Sequence, residues 1–204
     1  MRRVRAYVGL GANVGDARRT LSDAVRALAA LPGARLVGVS RLYRTKPVGV
    51  TDQPDFLNAV VSIDVPVGPD RATGAIALLV ALKDLERRFG RRRRRRWGPR
   101  ELDLDLLIFG RARLAIERPP AGAPLLAAID PGAAARLPEL PHPSMHDRLF
   151  VLAPLTDLAP RLVPPGWHKT VDTARRHRTT VEGPDAVLRA GRWDPGTGAW
   201  VRSR

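Results

Sequence analysis

The segment 102–109, with the sequence LDLDLLIF, places the strongest constraint on the fold of this chain. Leucine alternates with aspartate through its first half. On a β-strand the leucines would therefore enter the core, while Asp103 and Asp105 would leave the opposite face. Residues on one face of a strand lie ~6.5 Å apart at Cα. The segment predicts a half-buried strand that carries two neighbouring carboxylates.

Hydrophobic periodicity predicts the element order βαββαβ up to and including this strand. The expected strands cover 5–10, 36–44, 56–65 and 102–109, and the expected helices follow Asp16 and Asp70. This order indicates an α+β fold, namely a ferredoxin-like βαββαβ sandwich in which an antiparallel sheet carries helices on one face. A C-terminal helical segment is expected at 146–158.

The sequence predicts one domain over residues 1–176 and a weakly ordered C-terminal tail over 177–204. A chain of 204 residues with 44% hydrophobic content is long enough for a single core. The segment at about 111–140 is rich in Ala, Pro and Gly and lacks periodicity, which indicates an inserted loop. The Pro-Gly pairs and polar residues after Gly183 are the reason for expecting a poorly ordered tail.

Charge and composition limit the classes of function. The formal net charge is +15, with 35 Lys and Arg against 20 Asp and Glu, which favours polyanionic partners such as nucleotides or nucleic acid. Aromatic residues make up only 5% of the chain, so the stacking platforms of single-strand nucleic-acid binders are hard to build. The chain has no cysteine, which excludes thiolate metal sites. Neither a signal-peptide core nor an apolar membrane span is predicted, so we expect a cytoplasmic protein.

Acidic and basic residues meet around the strand at 102–109. An isolated Asp-x-Asp pair is more often a solvated strand face than a metal site. Here the run RRRRRRWGPR precedes Asp103 and Asp105, and a metal-bound triphosphate needs both signs of charge. Guanidinium groups bind phosphate oxygens bidentately. We assign the middle arginines to a solvated basic loop and predict that Arg91 and Arg100, at its two ends, bind phosphate.

Other motifs give weaker signals. The spacing of GLGANVG does not match a dinucleotide-binding fingerprint, and the sequence has no P-loop motif. By residue type alone, Phe56 and Phe150 would be ordinary core residues and His142 a loop residue. A zinc site on the histidines is not expected.

In combination, these motifs resemble the 6-hydroxymethyl-7,8-dihydropterin pyrophosphokinase family. The segment RWGPRELDLDLL matches the hallmark of that family throughout. Further blocks occur in family order, namely YVGLGANVGD, YRTKPVG, DQPDFLNAV, LERRFGR and PHPSMHDRLFVLAPL. The resemblance covers roughly residues 6–162 without the insertion. It implies transfer of the β,γ-diphosphate of ATP to the hydroxymethyl group of 6-hydroxymethyl-7,8-dihydropterin, a diphosphokinase step of tetrahydrofolate biosynthesis.

The resemblance also implies a set of site residues and cofactors. Asp103 and Asp105 would be the ligands of two Mg²⁺ ions bound with ATP, and Arg91 and Arg100 would engage the diphosphate during transfer. The pterin would contact Thr45, Val48, Phe56, Asn58, Trp97 and Phe150. ATP would contact Glu86, Arg91, Arg100, His142 and Arg148. Phe56 stands where the family often has Tyr, and adenosine contacts within the insertion cannot be assigned.

Two alternatives remain open from the sequence. A basic ferredoxin-like module could bind RNA, but it would need exposed aromatic residues on its central strands and would not use Asp103 or Asp105. An inactive family member kept as an interaction protein is the other alternative, against which the intact Asp, Arg and Asn positions argue. We expect no nucleic-acid partner, no membrane association, and a monomer or weak homodimer.

Overall fold

The computed structural model describes residues 2–47, 49–90, 98–115 and 139–202. Its strands are β1 (Arg3–Ala12), β2 (Arg35–Val39), β3 (Leu42–Thr45), β4 (Phe56–Pro66), β5 (Asp103–Phe109), β6 (Leu114–Ala115), β7 (Glu139–Leu140), β8 (Val187–Asp194) and β9 (Ala199–Val201). Its α-helices are α1 (Ala17–Ala29), α2 (Arg71–Arg88), α3 (Leu149–Leu158) and α4 (Val171–Glu182). Within these ranges, no helix is both long enough and apolar enough to cross a membrane.

The main sheet has the strand order β5-β1-β4-β3-β8-β9, and β2 pairs with β4 beside β3. Neighbouring strands along it are antiparallel. The predicted α+β class and antiparallel sheet are confirmed. Short β6 and β7 pair with each other at the two ends of the predicted insertion, most of which lies outside the described residues.

The single strand expected over 36–44 is instead split into β2 and β3. Ser40 lies at the break, where its hydroxyl accepts a hydrogen bond from the Val60 N–H at 2.9 Å and donates to the Arg41 carbonyl at 2.7 Å. Because a side chain here takes the place of a backbone acceptor, the regular ladder to β4 is interrupted.

Helices cover the two faces of the sheet in two separate layers. The first layer is α1 and α2, whose Leu21, Leu28 and Leu82 pack on the face that carries Val8 and Leu104. Both helices begin at the expected caps, because Asp16 accepts from the Arg19 N–H and Asp70 from the Thr73 N–H. The helices α1 and α2 therefore lie on one face of the sheet, as predicted.

The second layer is α3 and α4 on the opposite face. Leu152 and Leu155 of α3 and Val171 of α4 pack there with Tyr7 and Val60. The predicted C-terminal helical segment is confirmed as a 3₁₀ turn, Met145–Asp147, followed by α3. The helix α4 was not predicted.

The predicted alternation in β5 is confirmed at its first half. Leu102, Leu104 and Leu106 are buried against the α1/α2 layer. Leu107 continues this alternation onto the α3 face. The register against β1 then shifts between Tyr7 and Val8, so that Ile108 also packs on the α3 face.

The prediction of a weakly ordered tail over 177–204 was wrong. The expected boundary at 176 falls inside α4, β8 pairs with β3, and β9 pairs with β8. Trp200 of β9 is buried, and its indole N–H donates to the Ser40 carbonyl at 2.8 Å. Arg18 of α1 donates to the carbonyls of Ala190 and Trp200. Burial of the indole and these bonds fix the hairpin in the sheet.

We therefore expect Trp200→Ala to lower the free energy of unfolding by about 3 to 5 kcal/mol, because it leaves a cavity and an unpaired carbonyl. Urea denaturation followed by circular dichroism would measure this loss. The control is Leu188→Ala on β8, where the side chain is 40% exposed and a change within about 0.5 kcal/mol is expected. Equal stability of the two variants would mean that the hairpin does not contribute to the fold.

A polar contact fixes α3 to the sheet at β3. The Tyr43 hydroxyl donates to the Asp157 carboxylate, with both carboxylate oxygens at 3.0 Å, and Arg41 donates to the same carboxylate at 2.9 Å. Burial is the main cause that raises the pKa of Tyr43 to about 12, and the neighbouring Asp157 raises it further. The neutral phenol is therefore favoured in the folded protein.

A pH dependence of stability follows. The pKa of Tyr43 rises on folding from 10.0 to about 12, so its contribution is complete below pH 10 and is lost as the pH rises towards 12. The free energy of unfolding should fall over this window by more in the original chain than in Tyr43→Phe. Denaturation at a series of pH values would measure the difference, and parallel pH profiles for the two proteins would contradict the effect.

Candidate active site

Two glycines of β1 lie between β4 and β5 on the α3 face of the sheet, and the region around Gly11 is called the cleft below. Gly11 pairs with Asn58 of β4 on one side and with Asp103 of β5 on the other, and Gly9 lies opposite Asp105. A Cβ atom on Gly11 would lie 3.3 Å from the Asn58 amide oxygen and 4.0 Å from the Asp103 Cβ. Because glycine has no side chain, Asp103 and Asn58 face each other across Gly11, whereas the Leu107 side chain lies against Gly9, 3.5 Å from the position of a Cβ there.

The predicted acidic pair lies at one wall of this cleft. Asp103 and Asp105 leave the face of β5 opposite the buried leucines, as the alternation predicted. The Arg100 guanidinium donates to an Asp103 carboxylate oxygen at 2.9 Å, and both side chains are about a quarter exposed. Half-buried carboxylates on one strand face are oxygen donors of the kind that Mg²⁺ prefers. The two residues therefore fit a magnesium site that is accessible to phosphate.

Asn13, at the end of β1, positions the backbone of Arg100. Its amide oxygen accepts from the Arg100 N–H at 2.7 Å, and its amide nitrogen donates to the Pro54 carbonyl and to Gln53, each at 3.0 Å. Its backbone N–H also donates to the Arg100 carbonyl. Asn13 is only 4% exposed, so this single side chain joins two loops at the cleft. In the sequence Asn13 is part of GLGANVG, and no neighbouring residue indicates these distant partners.

Glu86 and Lys83 of α2 hold the outer edge of β5. A carboxylate oxygen of Glu86 accepts from the Leu104 N–H at 2.7 Å and from the Lys83 ammonium at 2.8 Å. Lys83 also donates to the Leu104 carbonyl at 3.1 Å. Glu86 is 1% exposed, so the structure places it as a support of the strand between the two aspartates.

His142 also lies at the outer edge of β5, beside Leu107. Its backbone N–H donates to the Leu107 carbonyl at 2.9 Å, and its Nδ1 accepts from the Ser144 N–H at 3.3 Å. Burial lowers the pKa of His142, while the charges of Asp105 and Asp103 oppose that shift. The neutral imidazole thus lies in the field of both predicted metal ligands.

Arg148 and Phe150 lie at the start of α3. The Arg148 guanidinium carbon is 5.7 Å from the centre of the Phe150 ring, which is a cation–π contact. Phe150 is half-buried, so one part of the ring remains accessible to a ligand.

Thr45 and Asn58 form a buried polar pair at the opposite wall. The Asn58 amide donates to the Thr45 hydroxyl at 2.8 Å, and the two side chains are 6% and 7% exposed. Phe56 lies opposite Thr45 in the β3/β4 ladder, and by strand alternation it shares the face of Asn58. Val48, Arg91 and Trp97 lie outside the described residues.

Removal of the Asn13 side chain should destabilise the fold and release the Arg100 backbone. We expect Asn13→Ala to lower the free energy of unfolding by about 2 kcal/mol, because it leaves a buried N–H and a carbonyl without partners. Urea denaturation and amide hydrogen exchange at Arg100 would measure both effects. Asn13→Asp keeps the acceptor for Arg100 but loses the donors, so an intermediate result is expected. Slow exchange at Arg100 in Asn13→Ala would contradict the role of this side chain.

Comparison with known proteins identifies relatives of this chain. A family model described as 7,8-dihydro-6-hydroxymethylpterin-pyrophosphokinase (HPPK) matches residues 7–160. The chain is 43% identical over 159 residues to the 2-amino-4-hydroxy-6-hydroxymethyldihydropteridine pyrophosphokinase of Methylorubrum extorquens, which covers 78% of this chain and 85% of the relative. It is 41% identical over 165 residues to the Pseudomonas aeruginosa protein of the same name, with coverage of 80% and 86%.

Solved structures show the same fold at low identity. Plasmodium falciparum HPPK-DHPS, wild type with pteroate, superposes with a TM-score of 0.72 at 12% identity and covers 98% of this chain and 50% of that one. Another wild-type structure of that protein gives a TM-score of 0.66 at 13% identity, with coverage of 98% and 50%. This chain thus spans about half the length of these solved chains.

The segment matched by the family model is more than half of the chain and contains Asp103, Asp105, Arg100 and Asn58. The chain therefore belongs to the 7,8-dihydro-6-hydroxymethylpterin-pyrophosphokinase family.

Proposed function

We propose that this chain transfers the β,γ-diphosphate of ATP to the hydroxymethyl oxygen of 6-hydroxymethyl-7,8-dihydropterin, and so acts as a diphosphokinase of tetrahydrofolate biosynthesis. The observation that carries this proposal is the match over residues 7–160 to a family of that activity. The joint position of Asp103, Asp105 and Arg100 beside the glycines of β1 supports it.

Asp103 and Asp105 would hold Mg²⁺, two ions in this proposal, together with phosphate oxygens of ATP. Mg²⁺ usually binds through one or two carboxylates plus substrate phosphates and water, which agrees with two aspartates at an accessible wall. When bound, it would neutralise phosphate charge and lower the pKa of the attacking hydroxyl.

Arg100 is the residue best placed to act on the transferred group. In the free protein its guanidinium is held by Asp103 at 2.9 Å. A cation bound to Asp103 would compete for that carboxylate, so the guanidinium would be free to move to phosphate oxygens and stabilise charge there. Asn13 keeps its backbone in place while the side chain moves. Arg91 is proposed for the same task from the family resemblance.

His142 and Arg148 are proposed to bind the nucleotide. Burial keeps the His142 imidazole neutral, since its pKa is lowered, so it would act as a hydrogen-bond partner of ATP. Arg148 adds a guanidinium at the start of α3. Glu86 is proposed to act indirectly, because its carboxylate is occupied by the Leu104 N–H and by Lys83.

The pterin is proposed to lie over Gly11, between the rings of Phe56 and Phe150. A flat heterocycle needs stacking faces and fixed polar partners. The Thr45 and Asn58 pair provides buried polar groups for the ring edge, and Val48 and Trp97 complete the proposed site.

In the proposed reaction, the pterin hydroxyl oxygen attacks the β-phosphorus of ATP in line. The bond from that phosphorus to the α,β-bridging oxygen breaks, AMP leaves, and the hydroxyl proton is released. The residues of the chain bind and orient the two substrates, and no side chain is required as a general base.

The RNA-binding alternative loses its structural support. It required exposed aromatic residues on central strands, whereas Tyr7 of β1 and Tyr43 of β3 are at most 9% exposed and Phe56 of β4 is half-buried. The family match adds to this argument. We further propose that the elements β1 to β5 form a ferredoxin-like unit, with β2 and β3 as its divided second strand. A cytoplasmic location and a monomer or weak homodimer stay predictions.

The test is incubation of the purified chain with ATP, Mg²⁺ and 6-hydroxymethyl-7,8-dihydropterin, with AMP and the pterin diphosphate separated by chromatography. Both products should form together and require Mg²⁺. Asp105→Asn should reduce kcat at least about a thousandfold, because a metal ligand is lost while the shape of the side chain is kept.

Asp64→Asn is the matched control. It makes the same change on β4 of the same sheet, where Asp64 forms an ion pair with Arg5 at the protein surface. Its activity should stay within about twofold of the original chain. Near-normal turnover by folded Asp105→Asn would rule out the metal assignment, and absence of both products from the original chain would rule out the function.

A further inference from the structure

The helix α3 starts without a cap of its own. Its N-cap residue is Arg148, whose side chain makes no capping hydrogen bond to the first turn. The free N–H groups at the start of a helix need acceptors from elsewhere. The first of them, the Leu149 N–H, donates to a carboxylate oxygen of Glu182 at 3.2 Å. Glu182 is the last residue of α4, so one helix caps the other.

The Glu182 carboxylate is itself held in place. Arg178, one turn earlier on α4, donates to the same oxygen through Nε at 3.0 Å and through Nη2 at 2.8 Å. The side chains of both residues are about three-quarters buried. A negative group at a helix N-terminus is also favoured by the helix dipole. The carboxylate that caps α3 is thus held in place by a partly buried ion pair.

The capped turn carries two residues of the proposed active site. Arg148 and Phe150 flank Leu149 directly in the chain, and the Arg148 carbonyl accepts from the N–H groups of Val151 and Leu152. A shift of the Leu149 backbone would therefore move the Arg148 guanidinium and the Phe150 ring together.

We propose that Glu182 is a positioning residue for the diphosphate transfer, which acts by fixing the first turn of α3 and with it Arg148 and Phe150. This inference rests on the proposed function. Glu182 lies outside the segment 7–160 that the family model matches, so the family match does not assign it a role.

The experiment compares Glu182→Ala with Glu182→Gln in the full chain. In Glu182→Ala the KM for the pterin and for ATP should rise roughly fivefold, the effect expected from loss of a cap, with a smaller change in kcat. Glu182→Gln keeps an oxygen acceptor for the Leu149 N–H and should restore most of the lost affinity. Hydrogen exchange of the Leu149 amide should be faster in Glu182→Ala than in the other proteins.

Asp172→Asn is the control for general loosening of α4. Asp172 accepts from Arg175 and Arg176 of its own helix, so its loss weakens α4 without removing the cap of α3. This variant should keep the original KM values, even where its melting temperature falls as far as that of Glu182→Ala.

The possible outcomes separate the two proposals. Absence of turnover in the original chain contradicts the proposed function and this inference with it. Turnover in the original chain with unchanged KM values in Glu182→Ala, or equal increases in Asp172→Asn, contradicts this inference alone. An increase in KM that is confined to Glu182→Ala and largely reversed in Glu182→Gln supports it.

Discussion

The asymmetry of β1 is the constraint on which the rest of the structure depends. One face of this strand carries Val8 and Leu10, which close the core against α1 and α2. The other face carries Gly9, against which the Leu107 side chain packs, and Gly11, across which Asn58 and Asp103 face each other. Because side chains alternate along a strand, one short sequence serves both a dry core and the cleft.

The charged side chains at the cleft are held in position by neighbouring polar and oppositely charged groups. The field of a chain with a net charge of +15 would favour any anion. The site is made more specific by Asp103 and Asp105, whose strand is held at its outer edge by Glu86 and Lys83. These contacts also satisfy an edge strand that would otherwise expose backbone groups. Asn13 then sets the distance of Arg100 from the acidic pair.

The C-terminal elements extend this arrangement beyond the segment that the family model matches. The hairpin of β8 and β9 adds to the sheet at β3 and is anchored by Trp200 and by arginines of α1. The helix α4 packs on α3 and supplies Glu182 to its first turn. Two different layers of the molecule thus receive support from the last quarter of the chain.

The sequence by itself determined the features that depend on neighbouring residues. Alternation placed Asp103 and Asp105 on one face of a strand, helix caps were found at Asp16 and Asp70, and the order of blocks indicated the family. The C-terminal hairpin also has a local sequence pattern, because two tryptophan-containing runs flank the turn-forming sequence PGTG. The prediction of a weakly ordered tail did not take this pattern into account.

The tertiary structure alone decided the contacts between distant parts of the chain. Asn13 meets Pro54 and Arg100, and Glu182 meets Leu149. The break at Ser40 likewise depends on Val60 in another strand. A single sequence states local backbone preferences, but the partner of a buried polar group is chosen only when the fold brings separate segments together. The requirement that each buried donor and acceptor find a partner then fixes the positions of these side chains.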